Sequence, residues 1–232
     1  MGSWEALSAA GALAVTGALA GVITAALTVQ RAWGRLQCWC VLFGAAMALV
    51  VASKLAFLGW GLGVPALHFR GISGHAARAA AVFPVLAWLL LGPGRRRGAA
   101  VAAGALLGML VGVARVQVHA HSASEVVAGC LLGWGVAAGF IWHARCREAP
   151  QLGRATAVLC LPLVCLLASA GPVPTQVWLR SAARYLSGQE HAALHAPAWP
   201  SRPASKPAEM VKPQARRPSA PLAARGAGSL PA

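Results

Sequence analysis

The sequence predicts an all-α fold, a polytopic membrane helix bundle of about six transmembrane helices, and three observations carry that expectation. Of the 232 residues 58% are hydrophobic and only 11% charged, where soluble domains carry about 25% charged residues. The apolar residues gather into six runs, near 6–29, 36–58, 76–91, 99–113, 124–142 and 155–170, each long enough or nearly long enough to cross a bilayer. Arginines punctuate every second connection: Arg31 and Arg35 in the first, Arg95, Arg96 and Arg97 in the third, Arg145, Arg147 and Arg154 in the fifth. By the positive-inside rule these loops are cytoplasmic, so the second and fourth connections and the N-terminus face outwards.

Taken in order, the first run is preceded by no basic residue and exceeds the 7–15 residues of a signal-peptide core, so it reads as a retained helix. The second ends near Lys54. The third and fourth are short against the roughly 20 residues a span needs, and are expected to extend into flanking polar residues. Gly104, Gly108 and Gly112 recur at every fourth position, as do Gly129 and Gly133, a spacing that lets membrane helices approach closely. The six spans make one domain over 1–172. A segment at 173–186, with Trp178, Arg180, Arg184 and Tyr185, reads as an interfacial helix. The remainder, 187–232, is rich in Pro, Ala, Ser and Arg and reads as a disordered tail. Six spans put that tail outside, although its basic residues favour the inside.

The chain carries a net charge of +15, and its five acids are all glutamate. Many of its arginines lie in short loops between apolar runs, which membrane orientation explains better than nucleic-acid binding, so no nucleic acid is expected. Membrane lipids are the expected surroundings, and oligomeric state is left open. The six cysteines lie in or beside apolar runs or in a cytoplasmic loop, without zinc-like pairing, and no disulfide is expected.

Ionisable groups concentrate at the outward ends of the spans. Lys54 ends the second and Ser73-Gly74-His75 opens the third; Arg115 ends the fourth, and His121 and Glu125 open the fifth. Charge at membrane depth is costly and so points to function. Two cations and two helix N-termini, with their unpaired N–H groups, suit an anion, phosphate above all. Ser73 is a candidate N-cap, and Gly74 lets backbone approach a ligand. His121 and Glu125, four apart, share a helix face. The carboxylate can then hold one ring nitrogen and leave the other free as a nucleophile. His75 can protonate a leaving oxygen as general acid.

These residues resemble the type-2 phosphatidic acid phosphatase superfamily, whose motifs read K-x6-R-P, P-S-G-H and S-R-x5-H-x3-D. Lys54 stands for the first lysine, Ile72-Ser73-Gly74-His75 for the second motif, and Ala114-Arg115-x5-His121-x3-Glu125 for the third, over a core of 36–142. The resemblance implies hydrolysis of a lipid phosphate or pyrophosphate without metal or other cofactor. The site it implies faces outwards from a membrane, here the inner membrane of a bacterium. Its implied catalytic residues are His121 as nucleophile, Glu125 as its orienter and His75 as acid. Lys54, Ser73, Gly74 and Arg115 then bind the phosphoryl oxygens. The chain departs at Gly61-Leu62, where the pattern has Arg-Pro, at Glu125 for aspartate, at Ile72 for proline and at Ala114 for serine. Arg70 and Arg78 are the arginines near enough to stand in for the missing one.

Each residue alone has a plainer reading. Ser122 and Glu125 form a capping box, Ser73 is a cap, and Lys54 and Arg115 are snorkelling anchors; their joint spacing favours the site. His119 reads as a loop residue without a role, as do His68 and His143. Two other functions compete: a His-ligated metal or haem protein using His119, His121 and Glu125, and a catalytically degenerate relative acting as transporter or scaffold.

Overall fold

The computed structural model of the chain describes residues 2–91, 94–145 and 175–188. The expected sixth span and the tail beyond Gly188 lie outside the described residues. Seven α-helices follow one another among the described residues: α1 Ser3–Ala10, α2 Leu13–Val29, α3 Trp33–Trp60, α4 Gly74–Leu90, α5 Arg95–Gln117, α6 Ala123–Arg145 and α7 Thr175–Ser187, with a 3-10 turn at Pro65–Leu67. Among the described residues there is no strand, only an isolated bridge between Val64 and Phe69. The all-α expectation holds. Four helical stretches among the described residues, Ser3–Val29, Trp33–Trp60, Arg95–Gln117 and Ala123–Arg145, are long and apolar enough to cross a membrane.

The first apolar run is not one helix. It breaks at Gly11, where the chain leaves α1 before α2 begins at Leu13. A side chain at Gly11 would sit 2.5 Å from Val111 Cγ1 and 3.3 Å from His75 Cβ, so the break lies directly against α4 and α5.

α4 is the centre of the bundle. At 17 residues it spans about 25 Å, short of a hydrocarbon core of about 30 Å. Most of its length is buried among the other helices and need not meet lipid. Its run of alanines presents bare backbone, and the glycines singled out in the sequence pack onto it. A Cβ at Gly104 would stand 2.8 Å from the Phe83 carbonyl carbon, and one at Gly108 would stand 2.7 Å from Ala80 Cα. From the other flank, one at Gly129 would stand 2.7 Å from Ser73 O, and Gly133 meets the Ala77 carbonyl. Methyl groups at these positions would force α5 and α6 off α4. Gly112 faces Val126 and Cys130 instead, where α5 and α6 meet.

Arg95, Arg96 and Arg97, expected in a loop, form the first turn of α5. Positive charge there opposes the helix dipole. Arg97 gains elsewhere: its Nε donates to Trp88 O at 2.8 Å, and its guanidinium lies 3.8 Å over the Trp88 ring. Trp88 also meets Phe140 edge-on, and Phe140 meets Trp39, an aromatic cluster that closes the bundle at this end. α7 falls where an interfacial helix is expected, with Ala183 buried near Gly59 of α3 and Trp178 and Tyr185 exposed.

Candidate active site

At the other end of the bundle the connection between α3 and α4 is tied down bond by bond. Gly61 ends α3 in the left-handed region at φ 69°, its N–H bonding to Phe57 O and that of Leu62 to Ala56 O. This is the position where the motif resemblance would place an arginine, and the left-handed turn disfavours any side chain there. The loop then runs over α3: Gly71, at φ 129°, lets its backbone lie against Lys54, and Ile72 N–H donates to Ser53 Oγ at 3.1 Å. Three bonds join it to the start of α6. Ser124 Oγ donates to Leu67 O at 2.7 Å, Arg70 N–H to Glu125 Oε1 at 2.8 Å, and Ser73 N–H to Glu125 O at 3.1 Å.

Glu125 is the hub of this lattice, 5% exposed. Its Oε2 lies 2.6 Å from His121 Nδ1 and accepts the Ser122 N–H at 3.2 Å. Ser122 Oγ in turn accepts the Glu125 N–H at 3.3 Å, which completes a capping box. The two readings of Glu125 are therefore both true of one side chain: it caps α6 and holds the imidazole. With Nδ1 engaged, His121 Nε2 is the ring nitrogen left for chemistry. Burial pushes the His121 pKa below the ordinary imidazole value, the nearby charges of Lys54 and Arg115 add to the fall, and the Glu125 bond opposes it. The net effect is downward, so the neutral ring is favoured.

The remaining candidates converge on the same end. Lys54, near the end of α3, lies within electrostatic reach of Glu125, Arg78 and Arg115. His75 feels Arg115, Arg78, His121 and Lys54. Ser73 occupies the N-cap position of α4 and is fully buried, yet its Oγ bonds to nothing in the protein. It is a cap by position alone. Arg115 donates from Nη1 to Ser8 Oγ at 2.9 Å, while its buried Nε has no hydrogen-bond partner. His119 stands in the turn after α5 at φ 55°, exposed, and apart from the His121–Glu125 pair.

Sequence reasoning left two contributors unassigned, Ser8 and Thr16 on the two halves of the broken first helix, and did not choose between Arg70 and Arg78. Of the two stand-in arginines, Arg70 offers Glu125 its backbone N–H, with its guanidinium 5.9 Å over the Phe57 ring. Arg78 turns its guanidinium back towards the N-terminus of α4. Its place one turn beyond Gly74 was the available signal, but helix phase alone does not say which neighbour it meets.

Fold and site together define a membrane helix bundle with a buried histidine–carboxylate pair among basic side chains. Residues 60–149 match the PAP2 superfamily. The chain is 43% identical over 146 residues to a Klebsiella pneumoniae protein described as an uncharacterized 22.5 kDa protein in the cps region, a stretch covering 60% of this chain and 69% of that protein. No solved structure matches it. The chain belongs to the PAP2 superfamily, whose members are generally phosphatases.

Proposed function

We propose that this protein is an integral-membrane phosphatase that hydrolyses the phosphate monoester or pyrophosphate of a lipid through a phosphohistidine on His121. The observation that carries the reading is the His121–Glu125 pair at 2.6 Å, which fixes Nδ1 and frees Nε2 among the cations of Lys54 and Arg115. In the first step Nε2 attacks phosphorus and the bond to the leaving oxygen breaks. His75 gives that oxygen its proton, and Glu125 stabilises the cationic ring that results. Water, deprotonated by His75, then cleaves the P–N bond and releases inorganic phosphate. Lys54, Arg115, Ser73 Oγ and the first N–H groups of α4 bind the phosphoryl oxygens, whose charge grows in the transition state.

A lipid substrate is supported by an apolar cavity of about 360 Å³ between α5 and α6, lined in part by Val113, Val116, Val126 and Trp134. Its lining includes Gln117 and Ala123, which flank the turn carrying His121, so a hydrocarbon chain lying there would bring its headgroup towards that turn. A metal cation would be repelled by the basic groups around the pair.

Purified protein given a panel of lipid phosphates should release inorganic phosphate in excess EDTA and be inhibited by vanadate. Loss of turnover in EDTA with recovery on adding zinc or magnesium would sink the metal-free scheme. The inner bacterial membrane, with the site outwards, is the proposed location. In a cysteine-free background, Leu67→Cys should react with an impermeant reagent in intact cells and Gly98→Cys should not; the reverse pattern inverts the orientation.

A further inference from the structure

Two arginines approach the first turn of α4, and both are gripped from behind by the same short stretch of chain. Arg78 Nε donates to Thr16 Oγ1 at 3.0 Å, and Nη2 donates to Gly11 O at 3.4 Å. Arg115 Nη1 donates to Ser8 Oγ at 2.9 Å. The Thr16 hydroxyl spends its own proton on Ala12 O, at 2.8 Å, and so meets the guanidinium only as an acceptor. The break between α1 and α2 supplies the third grip, by turning the Gly11 carbonyl towards Arg78. Thr16 is fully buried and Ser8 nearly so, which makes these bonds fixed supports rather than surface contacts.

Both arginines lie within electrostatic reach of His75, in the first turn of α4. Arg78 Nη1 stands 3.0 Å from the point where a Gly74 side chain would begin. Arg115 Nε is buried without a partner, and so is Ser73 Oγ, which is wholly inaccessible to solvent. Unmade hydrogen bonds of this kind are costly in the absence of a ligand. The charge count agrees. Lys54 lies within electrostatic reach of Arg78, Arg115 and a single carboxylate, Glu125, and the other acid among the described residues, Glu5, is exposed and bonded to Gly2 N–H. Three cations against one carboxylate leave two positive charges, which a phosphate monoester near its dianionic state offsets.

We propose that Arg78 is a phosphate-binding residue of this site, and that Ser8, Gly11 and Thr16 are positioning residues that aim Arg115 and Arg78 at the bound phosphate. The inference rests on the phosphatase reading for its substrate but extends the site beyond it. The three positioning residues lie outside the stretch 60–149 matched by the superfamily. A planar guanidinium whose rear edge is already bonded offers its front edge in a fixed direction, which a lysine cannot do.

The test uses the full-length protein, with inorganic phosphate as the probe, read both as a competitive inhibitor of turnover and as a thermal stabiliser. Arg78→Lys should weaken phosphate binding by about 10-fold, the loss expected when a charged hydrogen bond is removed but the charge is kept. It should raise KM more than it lowers kcat. Arg78→Gln should lose more, and added guanidinium should restore part of its turnover, an effect no purely structural role gives. Thr16→Val should weaken phosphate binding several-fold, on the order of one lost hydrogen bond, with Thr16→Ser restoring it. Should Arg78→Gln fail to fold, Arg78→Lys and the Thr16 pair decide the matter. Wild-type phosphate binding in both Arg78 variants overturns the proposal. A wild-type protein that hydrolyses no lipid phosphate, yet is stabilised by phosphate in an Arg78-dependent way, keeps the proposal and removes the phosphatase reading instead.

Discussion

α4 and α6 both open at the same end of the bundle behind a serine, and the structure treats the two serines in opposite ways. At α6, Ser122 and Glu125 exchange hydrogen bonds, so the helix start is closed upon itself. At α4, Ser73 sits at the cap position without a side-chain bond, and the start is held instead by neighbours, through Ser73 N–H on Glu125 O and Ile72 N–H on Ser53 Oγ. An N-cap contributes about 1 kcal/mol, and a buried hydroxyl left unbonded costs roughly 1–3 kcal/mol. Forgoing the first and accepting the second makes sense where a ligand supplies the missing partner. One helix start holds a histidine; on the proposed reading the other supplies an unbonded hydroxyl to an anion.

The largest effect expected from breaking this contrast is at the histidine itself. His121→Ala should abolish turnover and leave no trapped phosphoenzyme, while His119→Ala, in its exposed turn, should keep most activity. A phosphoenzyme that survives in His121→Ala and disappears in His119→Ala would place the nucleophile two residues away. His75→Ala should cost about 10²–10⁴-fold, the usual share of a general acid, and less with substrates whose leaving groups need no proton.

Glu125→Gln should cost more than Glu125→Asp. Glu125 accepts from Arg70 N–H on one oxygen and from His121 and Ser122 on the other. An amide turns one of those oxygens into a donor and orphans whatever faced it, whereas aspartate keeps the charge with a shorter reach. The pH profile sharpens this. Because the His121 pKa is depressed, the neutral nucleophile persists below the ordinary imidazole value of about 6.5, and kcat/KM should fall on the acid side only beneath that value. The Glu125 bond raises that pKa, so its loss in Glu125→Gln should move the acid limb lower still. A limb that moves upwards contradicts the assignment of Glu125 as the partner of His121.

The smallest and most discriminating pair compares the two serines. Ser73→Ala should leave thermal stability unchanged or slightly raised, because it removes an unbonded buried hydroxyl, while phosphate binding weakens. Ser122→Ala should cost about 1 kcal/mol of stability, as a lost cap does, with a milder effect on phosphate binding. If both substitutions act alike on both readouts, the difference between the two helix starts has no functional meaning.

Much of this was legible in the sequence because it depends on spacing along single helices. The four-residue step from His121 to Glu125, the glycine rows on α5 and α6 and the extension of α4 to Gly74 needed no partner to be inferred. What escaped depends on contacts between distant segments. The first apolar run looked continuous because Ser8, Gly11 and Thr16 are small and scarcely interrupt hydropathy, yet the break at Gly11 is what brings its carbonyl to Arg78. Ser73 reads as an ordinary cap, since the sequence cannot show that its hydroxyl makes no bond to its own helix. The three arginines at 95–97 looked like a loop because charge alone separates runs, and the Trp88 ring that receives Arg97 lies on another helix.

The central position of α4 has a consequence for how the chain enters the bilayer. The helix around which the bundle packs is also the one with the weakest title to a hydrocarbon environment: short, alanine-rich and carrying His75 and Arg78. Left alone in lipid it would expose an imidazole and a guanidinium with nothing to shield them, whereas α5 is long and apolar enough to lodge by itself. Biogenesis should therefore run against the order of synthesis at this point. α4 would wait at the translocon until α5 and α6 arrive, then move into the membrane as their passenger, and a nascent chain halted before α6 should leave α4 accessible from the aqueous side.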